Sequence, residues 1–106
     1  MPEIFRNILN QDELTLVEFI NVNCEPCAMI EPTLQQVKNS VGKRLNVFVV
    51  NIEDVPEIVK EFSISTVPLL VLFQNGEIHW KSDKVLSKQE ILEKYRKRGW
   101  KFHNKD

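Results

Sequence analysis

A mixed α/β fold, with helices on both faces of one sheet, is what this sequence predicts, and three observations predict it. Short apolar, β-branched runs alternate with stretches of helical periodicity, so strands and helices alternate along the chain. The first two such runs, 14–22 and 45–52, are separated by a helical stretch, which makes them parallel with a right-handed crossover. The last two, 68–73 and 77–81, flank Asn75-Gly76, a hairpin signal that makes them antiparallel.

The elements follow in order. Ile4, Phe5, Ile8 and Leu9 recur at helical spacing and predict a short amphipathic helix over 3–10, which the polar Asn10-Gln11-Asp12 ends. Leu14 to Val22 reads as a buried strand with Glu18 in its middle, followed by a loop, Asn21 to Cys24, at its carboxyl end. Met29, Ile30, Leu34, Val37 and Val41 have 3.6-residue spacing, so a helix follows. Pro32 is expected to kink it and Gly42 to cap it. Leu45 to Ile52 is a second buried strand. Asp54, with Glu57 three residues on, marks the start of a helix whose apolar face is Ile58, Val59 and Phe62, and Pro56 fits its first turn. After the polar connection 63–66, Pro68 to Phe73 is apolar on both faces and so central. Glu77 to Lys81 alternates as a half-exposed edge strand does. Ser87-Lys88-Gln89-Glu90 is a capping box for a last helix through about Arg98. Ile91, Leu92 and Tyr95 face inward, Gly99 ends the helix, and Trp100 and Phe102 fold back on it. The order is αβαβαββα.

A chain of 106 residues suits a single domain spanning residues 1–106. With 42% apolar and 27% charged residues its composition is that of an ordinary soluble protein. The longest apolar run, Val67 to Phe73 with Pro68 inside it, is too short to span a bilayer. Residues 1–7 carry an early acid and no apolar core of a signal peptide, so a cytoplasmic location and no membrane association are expected. A net charge of −1 gives no pull toward nucleic acid. The charge is uneven, −6 over residues 1–80 and +5 over 81–106, which reads as a solvated basic face on the last helix.

The stretch Asn23-Cys24-Glu25-Pro26-Cys27 holds the only two cysteines. At this spacing they suggest redox chemistry or half of a metal site. A reactive cysteine must be a thiolate, and the free N–H groups of a helix's first turn favour one. Cys24 stands where the helix should begin and is placed to attack. Cys27, one turn on, is placed to resolve a mixed disulfide at Cys24. Pro26 costs no hydrogen bond there and stiffens the loop. A metal site needs two more ligands. Only His79 and His103 remain, 24 residues apart and outside zinc-finger spacing, so the redox reading is preferred.

The chain then resembles the thioredoxin family. The likeness rests on Leu16-Val17-Glu18-Phe19, Cys24-Glu25-Pro26-Cys27, Met29-Ile30-Glu31-Pro32, Asn51-Ile52, Ile64 to Phe73 and Asn75-Gly76-Glu77, and it covers about residues 14–98. It implies a thioredoxin fold with a mixed four-stranded sheet, or five strands with the family's usual first edge strand, which the short N-terminus lacks. It implies that Pro68 is the cis-proline facing the cysteines and that the Val67 backbone pairs with an extended client peptide. Glu18 takes the place of the family's buried acid, which moves the proton of the resolving cysteine. Asn23, Glu25 and Pro26 fall where the client docks.

The implied activity is thiol–disulfide exchange in cell redox homeostasis. The chain would be a dithiol reductant of protein disulfides, recharged by a reductase or a low-molecular-weight thiol. It would work as a monomer, with no metal or organic cofactor. The alternative is a binding or adaptor module that keeps the fold with little redox turnover.

Several positions depart from the family pattern. Asn23 and Ile20 stand where Trp is usual, and Glu25 and Lys84 where Gly is usual. Val49 stands where a basic partner of the buried acid is usual. These changes make the docking surface more polar and charged. Glu25 beside Cys24 opposes its thiolate, which makes the dithiol a better reductant. Met29 reads as core or rim packing.

Overall fold

The computed structural model describes residues 2–104, with side chains from 3 to 97. Its elements are α1 (Pro2–Leu9), β1 (Leu14–Ile20), α2 (Glu25–Val41), β2 (Leu45–Asn51), α3 (Pro56–Glu61), β3 (Leu69–Gln74), β4 (Glu77–Ser82) and α4 (Lys88–Asn104), with 3₁₀ turns at Gly42–Arg44 and Ile52–Asp54. One four-stranded sheet has the order β2-β1-β3-β4. β1 and β2 are parallel, as the crossover requires, β3 and β4 are antiparallel, as the hairpin requires, and β3 also pairs antiparallel with β1.

Side-chain alternation along β1 builds two cores. Leu14 and Leu16 point to one face and cluster with Ile30, Leu34 and Val37 of α2 and Ile91 and Leu92 of α4. Val17 and Phe19 point to the other and cluster with Phe5 and Leu9 of α1 and Ile58 of α3. Phe19 packs edge-on against both Phe5 and Phe73, each at 6.4 Å between centroids. Helices therefore cover both faces, and the two central strands are buried along almost their whole length.

Local chemistry fixes the joints. Gly42 ends α2 at φ +78° and donates its N–H to the Lys38 carbonyl, a conformation that suits glycine. Lys38 Nζ then donates to the carbonyls of Gly42 and Leu45, fastening α2 to β2. Asn75 and Gly76 both have positive φ, which fits a two-residue hairpin turn. Their N–H groups donate to the Gln11 and Leu9 carbonyls, so the hairpin is tied to the end of α1. Ser87 and Glu90 bond each other's backbone N–H at 3.1 and 2.8 Å, the expected capping box.

Several boundaries differ from expectation. β1 stops at Ile20, because the side chain and carbonyl of Asn21 accept the N–H groups of Val22 and Cys24 and turn the chain. β3 starts at Leu69, after Pro68. Asp54 does not cap α3. Asn51 takes the Glu53 N–H, which draws Ile52–Asp54 into a 3₁₀ turn and leaves Val55 at the N-cap with no side-chain bond. Gly99 does not end α4, which runs on to Asn104. One helical glycine costs only about 1 kcal/mol, and good helix formers flank it. The packing expected of Trp100 and Phe102, and the position of the His103 side chain, lie outside the described residues. Pro32 lies inside α2 as expected.

Candidate active site

The cysteine pair sits where β1 hands over to α2. Cys24 is the N-cap residue of α2, Glu25 opens the helix, and Pro26 occupies its first turn, where the missing N–H has no helical partner to lose. The sulfur of Cys24 accepts the N–H of Cys27 at 3.2 Å. In the reduced protein the same donor favours a thiolate at that sulfur. Cys24 and Cys27 are joined as a disulfide, with Cα atoms 5.3 Å apart. The two sulfurs differ in access: Cys27 is 2% exposed, Cys24 partly so. Only Cys24 is open to a large substrate.

Glu18 lies on β1, on the face it shares with Leu14 and Leu16, which α2 covers. Its side chain is fully buried, and neither carboxylate oxygen has a hydrogen-bond partner. Burial, and after it the negative Glu31 on α2, push its pKa from 4.5 up to about 8. Its neighbours across the sheet are Leu70 on β3 and Val49 on β2, so no cation balances it there. Glu31 was not singled out in the sequence. The signal was available, since Glu31 follows Cys27 by one helical turn.

The docking positions are less tightly gathered. Asn23, Glu25 and Pro26 are exposed on the loop and first turn. The Val67–Pro68 bond is cis. Pro68 is buried and Val67 half-buried against the α1/α3 core. Among the described residues neither shares a hydrogen bond with the cysteine pair. Beside that loop a groove of about 610 Å³ brings Ser65 and Thr66 together with Lys84 and Lys81. Lys84 is thus part of a surface continuous with the segment that leads into Pro68. Two exposed apolar side chains also flank the cysteines in the chain, Val22 at 71% and Met29 at 68%. Met29 is rim and not core.

Among the described residues, no group of three or more His, Cys, Asp or Glu side chains could hold a metal ion, and no helix is long and apolar enough to cross a membrane.

Comparison with known proteins agrees with this geometry. The thioredoxin family model matches residues 1–97. A thioredoxin of Rickettsia bellii is 33% identical over 70 residues, covering 66% of this chain and 67% of that one. A thioredoxin of Buchnera aphidicola is 31% identical over 86 residues, covering 81% and 80%. A bifunctional thioredoxin reductase/thioredoxin of Mycobacterium leprae is 30% identical over 73 residues. The match covers 69% of this chain and only 16% of that protein's length.

Proposed function

The chain belongs to the thioredoxin family, and on that premise we propose that it is a protein-disulfide reductase working through Cys24 and Cys27. The observation that carries this reading is the unequal pair at the N-terminus of α2, one sulfur accessible at the cap and one buried a turn later.

The reduced protein begins the cycle. The Cys24 thiolate attacks one sulfur of a client disulfide, forms a mixed disulfide and expels the other client sulfur as a thiolate. Cys27 loses its proton, attacks the Cys24 sulfur and releases the second client thiolate. Two electrons have passed to the client, and the Cys24–Cys27 disulfide is the product. A reductase or a low-molecular-weight thiol returns the electrons. Glu18 takes the Cys27 proton and, in the reverse direction, gives it back. A carboxyl titrating near pH 8 is matched to that task at neutral pH. The Val67 backbone pairs with the extended client, Pro68 fixes that backbone, and Asn23, Glu25 and Pro26 form the facing wall. A reducing compartment such as the cytoplasm suits this direction of flow.

Insulin reduction by dithiothreitol tests the reading. The wild type is expected to accelerate precipitation of the insulin B chain, and Cys24→Ser to give only the uncatalysed rate. Equal rates for the two proteins would favour an adaptor instead. The polar setting of Cys24 adds a second expectation. Equilibration with glutathione should give a potential closer to about −270 mV than to about −120 mV, and a value above about −200 mV counts against a reductant.

A further inference from the structure

The sheet has two edges, and they are defended differently. β4 carries the exposed charges Glu77 and Lys81, and its register with β3 slips by one residue between Leu72 and Phe73. Charges and bulges of this kind keep an edge from pairing with another strand. β2 has neither. Its seven residues, Leu45-Asn46-Val47-Phe48-Val49-Val50-Asn51, contain no charge and no proline, and its register with β1 is unbroken. It pairs with β1 on one side only. Between α1 and β2 runs a groove of about 530 Å³ whose lining includes the apolar Ile4, Ile8, Phe48 and Val49 and the polar Asn51 and Asp54. Ile4 is 62% exposed and Val49 43%.

We propose that β2 is a self-association edge, where two copies of this chain pair antiparallel about a twofold axis at Phe48. The charges at the strand's ends argue for this occupant. Lys43 and Arg44 precede β2, and Glu53 and Asp54 follow it. An antiparallel pair centred on Phe48 brings the 3₁₀ turn that carries Lys43 in each copy to the same end as the 3₁₀ turn that carries Glu53 in the other, twice over. Both side chains are exposed. A parallel pair would set like charges together, so the ends select the antiparallel, self-complementary arrangement. In that register Val47 meets Val49, and Phe48 meets its own copy. The result is a continuous eight-stranded sheet in place of the monomer expected from the sequence. Because Ile20 at the cysteine end of β1 is level with Asn51 of β2, the two cysteine pairs lie at opposite ends of that sheet, and both stay open.

Sedimentation equilibrium of the full oxidised chain, from micromolar to millimolar concentration at low salt, tests the proposal. The wild type is expected to show a reversible monomer–dimer equilibrium. Val49→Lys, at an exposed position, should abolish it. Lys43→Glu and Glu53→Lys should each weaken dimerisation by about tenfold, and the two together should restore it. Hydrogen exchange should show β2 amides gaining protection with concentration while β4 amides do not. A chain that stays monomeric throughout overturns the proposal. So does a dimer that Val49→Lys leaves intact, a double reversal that recovers nothing, or a β2 edge that pairs only with an unrelated strand peptide.

Discussion

Gln74 and Glu18 are both polar, both buried and both on central strands, but they lie toward opposite ends of the sheet and are treated in opposite ways. Gln74 ends β3 beside the hairpin, and its Nε2 donates to the Asp12 carbonyl at 2.6 Å. Thr15, nearby on β1, likewise donates to the Glu13 carbonyl. Around them the Asn75-Gly76 turn is bonded to the end of α1. At the cysteine end, Glu18 is buried with neither oxygen bonded and with Glu31 as its charged neighbour. An unpartnered buried carboxyl lowers stability. The hairpin end is built for stability. The cysteine end keeps a destabilising group, as the proton-transfer role proposed for Glu18 would require.

The largest expected effect breaks the cost at Glu18. Its pKa of about 8 in the folded protein lies above its ordinary 4.5. Between those values the folded state binds more protons than the unfolded one, so stability falls as pH rises through that window and levels off above about 8. Glu18→Leu removes the titration and the unbonded oxygens together. It should be more stable than the wild type by a few kcal/mol at pH 9 and by much less near pH 4. Urea unfolding at the two pH values checks this, and equal gains at both would count against it. The same variant should reduce insulin more slowly at neutral pH, because Cys27 then loses its proton without the Glu18 carboxylate.

A smaller loss is expected at the hairpin. Gly76 has φ +78°, and a Cβ there would come within 2.5 Å of Asn10 Oδ1. Asn10 is exposed and can swing aside, so the lasting cost of Gly76→Ala is the backbone's, about 1–2 kcal/mol. The midpoint of urea unfolding should fall accordingly, with the pH dependence due to Glu18 unchanged.

Most of this contrast could be read from the residues. The order of elements along the chain, the parallel crossover, the hairpin and the capping box followed from periodicity and turn chemistry, which act locally. Cys24 at a helix start and Glu18 inside an apolar strand were likewise visible. What escaped depends on pairing across the chain. The approach of Glu31 to Glu18 needs α2 laid on β1, and the place of Thr66 and Lys84 in one groove needs the loop to lie near the start of α4. The 3₁₀ turn before α3 escaped because Asn51 and Asp54 are both good caps, and only the three-dimensional path decides which one is used. α4 passed Gly99 because a single glycine is a weak stop when its flanks favour helix.

The smallest expected effect makes the comparison sharpest, because it repeats one chemical change at the other end of the sheet. Gln74→Leu, like Glu18→Leu, replaces a buried polar side chain with an apolar one of similar size. Here the side chain is neutral, so no titration is lost, and its one hydrogen bond goes with it. Asp12 is exposed, so water can reach the carbonyl left behind and limits the loss to about 1 kcal/mol. The sign is therefore opposite to that of Glu18→Leu, and the loss should be the same at pH 5 and pH 9. Parallel urea titrations of the two variants measure both features. A gain in stability from Gln74→Leu would mean that its hydrogen bond does not offset its burial, and the two ends of the sheet would then differ in charge alone.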